Sequence, residues 1–383
     1  MTPDLFTPAG KGQACPHCGL TGQQPDSLKC DDCGRDMKPA RSTMNGKPVH
    51  NVPAKSVINF TSAFSHKLLC DGLTFSTGSA CAYSCSFCYV EDLMRKNPHW
   101  QGIISQKPDA KFEDVVIRRE GAIAAMRSQL VGRGNVPKFK DPNDRRVIFA
   151  SPLVDVAANM DLVKETVEAC KVILTLTNWQ IRLLSKSNLL PKVAQLLDDG
   201  AGIGVNAYTQ ADAKARIIYG VSTGTLNDGL AHAIEIGTPL VSKRIASLHW
   251  LQDNGFRTFG MICPSLPQAD YNKFSDEMCL AIRAYKCEHV WGEVINARGE
   301  SFTRTYAALV AAGFRDEAAA FASVSNDPVA WEKYARATFE AEALVLANHT
   351  GPDALPKLRF LQYVTKESRV WWLNRVKDGA ILL

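Results

Sequence analysis

Three cysteines and a tyrosine crowd into the stretch CAYSCSFCY at residues 81 to 89. Cys81, Cys85 and Cys88 follow one another with three and then two residues between them, and thiolates so close together are suited to hold a metal. Three thiolates leave such a centre open. Structural zinc takes four protein ligands, whereas a cubic 4Fe–4S cluster held by three cysteines keeps one iron free for an outside ligand. A second group, Cys15, Cys18, Cys30 and Cys33, forms two CxxC pairs separated by eleven residues, close to the spacing of a tetrahedral four-thiolate cage. Gly19 and Gly34 follow the two pairs, where a residue without a Cβ lets the turn close with backbone N–H groups toward sulfur. The expected occupant is a structural zinc. The same cage can take a mononuclear iron or serve as a redox dithiol. Cys70, Cys170, Cys279 and Cys287 are read as core.

The elements that must position these groups follow from periodicity. Six β-like runs occur at residues 73–78, 146–151, 180–185, 202–208, 257–263 and 288–294. Between them lie apolar residues at helical spacing, such as Ile123, Met126 and Leu130, then Val163, Val167 and Cys170, then Ile245, Leu248 and Leu251. Alternating strands and helices imply an α/β fold with a parallel sheet, here a partial (β/α)6 TIM-like barrel. Chemistry in such barrels sits at the C-terminal ends of the strands, and the three-cysteine run follows the first of them. Residues 1–40 are read as the zinc ribbon, 41–64 as a Lys/Pro/Gly/Ser-rich linker, 65–300 as the barrel and 301–383 as a C-terminal helical and aromatic extension. The segment 211–234, longer than a plain connection, is expected to shape the approach to the site.

Composition bounds the setting. The 383 residues are 46% hydrophobic and support a sizeable core. No run approaches the roughly 18 apolar residues of a membrane span, and the first residues lack a signal-peptide layout, so a cytoplasmic protein with reduced cysteines is expected. A net charge of +5 permits an anionic partner without demanding one.

With its aromatic follower, CAYSCSFCY resembles the signature of the radical S-adenosylmethionine (SAM) superfamily. Later segments are similar to its spore photoproduct lyase and DNA-repair-photolyase-like branch, over residues 65 to 300. These are ASPLVDVAANMD with Asp155, LLSKSNLL with Lys186, IGVNAYT with Asn206, the segment from Glu235 to Arg244 in EIGTPLVSKR, and MICPSLP. The resemblance implies a radical SAM type barrel in which SAM chelates the free iron of a 4Fe–4S cluster at Cys81, Cys85 and Cys88. One electron then splits SAM into methionine and a 5′-deoxyadenosyl radical, and an electron donor such as a flavodoxin or ferredoxin is the implied partner. It also implies Tyr89 near the adenine, though a tyrosine there also suits the core. Lys186 suits the SAM carboxylate or is a solvated strand-exit lysine, and Asn206 suits the methionyl or ribose part or is a turn residue. Arg244 is expected to clamp the cofactor or to stand as a surface charge.

One departure concerns the outcome of the reaction. Where the spore enzymes carry a hydrogen-donating cysteine after the serine that follows strand two, this chain has Pro152, which has no exchangeable side-chain hydrogen. Cys263, at the end of strand five, is the candidate substitute, its other reading being core. Nucleic acid, DNA or RNA, is the expected partner, with the ribbon, the basic runs at 94–100 and 133–146, and the tail residues Tyr363, Trp371 and Trp372 available to phosphates and bases. The adjacent tryptophans equally suit a tail packed on the domain. Two alternatives stand beside a base-repairing or base-modifying radical SAM enzyme. One is modification of a protein, peptide or small molecule with the ribbon as docking module. The other is a metal protein that binds partners without cleaving SAM.

Overall fold

A computed structural model describes residues 43–62, 70–198, 208–295, 300–350 and 357–383. Cys15, Cys18, Cys30, Cys33 and Asn206 lie outside the described residues. The chain divides into two units, Met1–Val49 and His50–Leu383.

The described part of the stretch expected to be a linker carries strands. β1 (Thr43–Met44) pairs antiparallel with the start of β2 (Lys47–Pro53), Met44 facing Lys47. Asn45 and Gly46 both take positive φ, 52° and 76°, the two-residue turn that an Asn-Gly pair favours between strands. β3 (Ile58–Asn59) follows, with Val57 and Ile58 buried in the main core.

The large unit is built on one sheet. Its strands continue with β4 (Leu73–Phe75), β7 (Val147–Ala150), β8 (Gln180–Ser185), β9 (Ile217–Thr223), β10 (Arg257–Ser265), β11 (His289–Val294), β12 (Leu358–Gln362) and β13 (Ala380–Leu382), while β5 (Gly78–Ala80) and β6 (Val116–Glu120) pair antiparallel beside it. The nine-stranded order is β13-β12-β11-β10-β9-β8-β7-β4-β3. Every neighbouring pair from β4 to β13 is parallel, and only β3 runs against β4. The sheet is open, with β13 and β3 at its edges.

Two differences from the expected barrel have physical causes. The fourth strand is Ile217–Thr223, whereas residues 202–207 lie outside the description. All seven residues of that strand are buried, and a strand buried on both faces reads as an unbroken apolar run without the alternation that marks a half-exposed one. The tail is no separate extension, because LRFLQ and AIL enter the sheet as β12 and β13. Against six expected parallel strands, the described residues carry eight.

Alternate residues separate the two faces. Ile148, Ala150, Ile217, Tyr219 and Val221 belong to the large core under the helices. Phe149, Ile218, Phe259, Met261, Trp291, Leu361 and Ile381 meet in a second cluster. That cluster draws on every strand from β7 to β13 except β8, whose Leu184 packs against it. Phe149, Leu184, Met261 and Leu361, from β7, β8, β10 and β12, line one cavity, so the sheet curves around it.

The covering helices are α3 (Ala122–Leu130), α4 (Met160–Leu176), α5 (Leu190–Asp198), α6 (Gln210–Arg216), α7 (Asp228–Ile234), α8 (Val241–Asp253), α9 (Tyr271–Ala281), α10 (Ser301–Ala311), α11 (Arg315–Ser325), α12 (Pro328–Thr350) and α13 (Arg369–Leu373), with α1 (Val90–Met94) and α2 (Pro98–Gln106) beside the cysteine run. Side chains start several of them. Asn159, Asn227 and Asp270 each accept from the first turn of α4, α7 and α9, and Thr209 with Asp212 forms a capping box on α6.

The tail tryptophans pack. Trp372 is fully buried, with Nε1 donating to Glu332 Oε1 at 2.7 Å, and the guanidinium groups of Arg336 and Arg375 stand 4.6 and 5.0 Å from the centre of the Trp371 ring. No described helix is long and apolar enough to cross a membrane.

Glu342 of α12 is 1% exposed, and burial pushes its carboxyl up to about 8, opposed only by the Ser265 hydroxyl at 3.4 Å. Such a group binds its proton more tightly folded than unfolded. Its folded state therefore loses stability as pH rises from about 4.5 to about 8. Glu342→Gln should accordingly gain on the native protein across that window, by an amount on the order of 3 kcal/mol, as read by urea denaturation at pH 5 and pH 8. A difference independent of pH would show that the carboxyl is solvated.

Candidate active site

The cysteine run leaves β5 and is fixed from three sides. Ser86 N donates to Ile234 O at 2.8 Å, Gly237 N donates to Tyr83 O at 2.9 Å, and Cys85 and Glu235 form an antiparallel bridge. The loop thus borrows the start of the α7–α8 connection as a strand partner. A Cβ at Gly237 would stand 2.7 Å from Tyr83 O and 2.8 Å from its Cα, so only glycine allows this approach. From α10, Arg304 donates Nε to Ser86 O and an Nη to Cys88 O, both at 3.0 Å, and pairs with Glu91. Below the loop, Ala80, Val90, Met94, Trp100, Phe112, Val115 and Ile117 form a small core of their own.

The loop forms one wall of a cavity of about 490 Å³ at the C-terminal ends of the parallel strands. Cys81, Cys85, Cys88, Tyr89, Lys186 and Cys263 all line it, together with Ser222, Asp155 and Glu293. The Tyr89 hydroxyl donates to Pro152 O at 2.7 Å. The Cys263 sulfur lies 3.6 Å from Glu293 Oε2.

Lys186 reaches across three strand ends. Its amine donates to Glu235 Oε1 at 2.6 Å, to Ser222 Oγ at 3.1 Å and to Cys263 O at 3.1 Å, and stands 5.4 Å from the centre of the Phe87 ring. Asp155 braces the backbone behind it. Its carboxylate accepts from Ser185 Oγ, Lys186 N and Ala157 N, each at 2.8 Å. Burial pushes the Asp155 carboxyl up and these hydrogen bonds pull it back.

Arg244 is not in the cavity. It has no exposed surface and does not line the space, because Glu235 intervenes and takes its guanidinium at 2.5 Å. Asn206 was expected beside Lys186 at the end of the fourth strand. With that strand at Ile217–Thr223, the residue found there is Ser222. Sequence reading missed Ser222 because its strand was taken for loop, although the unbroken run ARIIYGVST carried the signal.

The three cysteines of the loop line one cavity, and three thiolates would hold a cubic cluster with one iron left open. Burial pushes all three thiols up, Cys81 to about 12 with the nearby Asp155 adding, and Cys85 with Glu235 adding. Neutral thiols at neutral pH become thiolates only when a cation compensates them. Three such groups on one loop, facing one cavity, suit a multi-iron centre.

The basic run 133–146 precedes β7 and so lies at the other end of the strands. Within it Arg146 pairs with Asp144 at 2.8 Å and Lys140 donates to Thr177 O at 3.2 Å.

A parallel α/β sheet carries the cysteine loop and Lys186 at its C-terminal edge. Solved structures similar to it in fold include spore photoproduct lyases. A variant with bound AdoMet and dinucleoside spore photoproduct aligns with a TM-score of 0.52 at 10% identity, over 83% of this chain and 82% of that one. A complex with dinucleoside spore photoproduct aligns at 0.50 and 9% identity, over 82% and 81%. At such identity the likeness is one of fold. No protein-family profile matches the chain, and no curated protein matches it in sequence.

Gly237→Ala should lower the melting temperature, by an amount corresponding to about 1–3 kcal/mol, because backbone and not a flexible side chain blocks the new methyl. An unchanged melting temperature would mean that the cysteine loop is not docked on residues 234–237.

Proposed function

We propose that the chain is a radical SAM enzyme acting on a nucleic-acid base. One observation carries the reading. Cys81, Cys85 and Cys88 open into the same cavity as Lys186 and Ser222, which approach from the ends of two neighbouring strands. In this reading the three thiolates hold a 4Fe–4S cluster, and SAM occupies the cavity with its carboxylate toward Lys186 and Ser222. The cluster supplies reductive cleavage of SAM to methionine and a 5′-deoxyadenosyl radical.

The protein's own residues do the rest. Tyr89, fixed by its hydrogen bond to Pro152 O, forms the wall expected beside the adenine. Arg304 keeps the cluster loop closed from outside. Glu235 and Arg244 act behind the wall. Among the described residues Cys263 is the cavity thiol outside the cluster set, and we assign it hydrogen-atom donation to the substrate radical in place of the cysteine that Pro152 excludes, its S–H bond breaking as the substrate C–H bond forms and the resulting thiyl radical taking one electron and a proton from the external reductant and solvent. Thymine-dimer reversal of the spore type does not follow. A nucleic-acid substrate draws support from the fold shared with enzymes bound to dinucleoside lesions, and the base would have to leave its stack to reach the cavity.

Anaerobic reconstitution with iron, sulfide, reductant and SAM tests the reading, with 5′-deoxyadenosine as the readout. Alanine at any of Cys81, Cys85 and Cys88 should abolish the brown chromophore and the cleavage together, and cleavage surviving in the triple variant would end the proposal. Cys263→Ala should keep SAM cleavage while changing or stopping product formation on DNA or RNA. An unchanged product would remove the donor assignment. Oligonucleotide affinity should fall steeply between 50 and 200 mM salt. Affinity absent at low salt would favour a protein, peptide or small-molecule substrate.

A further inference from the structure

Glu235 stands behind the cavity wall, and two cations meet on it. Its Oε2 pairs with Arg244 at 2.5 Å and its Oε1 takes the Lys186 amine at 2.6 Å. Arg244 cannot shift, being fully buried and held also by Pro239 O at 2.8 Å, Ser222 O at 3.4 Å and the Thr238 hydroxyl. The Lys186 ammonium has three N–H donors and three acceptors, of which Glu235 is the nearest. Its direction is therefore set by Glu235, and that of Glu235 by Arg244. The backbone of the same glutamate bridges Cys85.

We infer that Glu235 is a positioning residue that holds the Lys186 amine at a fixed place on the cavity wall relative to the cysteine loop. The inference rests on the SAM-binding reading for its ligand. Glu235 is shared between two cations, so it does not neutralise Lys186 on its own, and the ammonium can still meet a carboxylate. An ammonium whose donors are all engaged must release one to bind it, and the longer bonds to Ser222 and Cys263 yield first. Glu235 then keeps the amine in place while the ligand arrives. Arg244 acts on SAM at two removes, through Glu235 and Lys186.

A double-mutant cycle tests this on the reconstituted full chain, with SAM affinity measured by equilibrium dialysis and cluster absorbance recorded alongside. Glu235→Gln and Lys186→Met should each weaken SAM about tenfold or more. The double variant should be no weaker than Lys186→Met alone, because Glu235 works through that amine. Glu235→Asp, which keeps the charge but draws it back, should fall between native and Gln. Cluster absorbance should be equal throughout. A Glu235→Gln loss repeated in full on top of Lys186→Met would overturn the inference, and so would native affinity in Glu235→Gln or in Glu235→Asp, the variant to use if the glutamine form does not fold. If Lys186→Met leaves SAM affinity unchanged, the SAM assignment of the lysine falls and the inference with it.

A second measurement needs neither cluster nor SAM. In the metal-free protein, acetylation of Lys186 followed by mass spectrometry should be several-fold faster in Glu235→Gln than in native chain of equal melting temperature, or in Glu235→Asp if that alone folds. Equal labelling would overturn the positioning role.

Discussion

Two positive side chains share one carboxylate in the interior of this protein, and the site is arranged around that sharing. Glu235 is 2% exposed and Arg244 has no exposed surface. A buried charge is costly without a partner, and removing one member of such a pair typically destabilises by about 3–5 kcal/mol. The arrangement is therefore held firmly in one geometry. Because the glutamate also bridges Cys85 through its backbone, the cation in the cavity and the thiol loop opposite it are referred to the same residue.

The sheet makes that arrangement possible. Parallel strands in consecutive order place all their C-terminal ends along one edge, and residues of β7, β8, β10 and β12 line the same cavity at that edge. Lys186, Ser222 and Cys263 arrive from β8, β9 and β10, three neighbours in the sheet. The cysteine loop comes from outside the parallel order, so it depends on local fastening by residues 234–237 and by Arg304. Glycine at position 237 is part of that fastening, since the two backbones meet closer than a side chain permits.

What could be read from the residues alone followed what is local in sequence. The cysteine triplet, Tyr89, Lys186 and Cys263 were legible because each follows a strand end or a short spacing, and all of them reach the cavity. Arg244 was legible as a residue and not as a position, since nothing in the spacing shows that Glu235 stands in front of it. GIGVNAY lies almost wholly outside the described residues, and the strand at Ile217–Thr223 was not legible because ARIIYGVST does not alternate, burial on both faces having removed alternation. β12 and β13 are short, and they are strands because the edge at β11 offers unsatisfied backbone groups to β12, and β12 in turn to β13. The Asn45-Gly46 turn was a readable signal overshadowed by lysines and prolines around it.

The central claim is that one ligand spans from the open iron of a cluster at Cys81, Cys85 and Cys88 to the wall at Lys186 and Ser222. Electron–nuclear double resonance on the reduced, reconstituted protein tests it directly, using SAM labelled with ¹⁷O in its carboxylate and ¹⁵N in its amine. The account expects hyperfine coupling of both nuclei to the cluster, the oxygen coupling altered in Lys186→Met. A cluster signal that SAM leaves unchanged, with no coupling to either label, would contradict it.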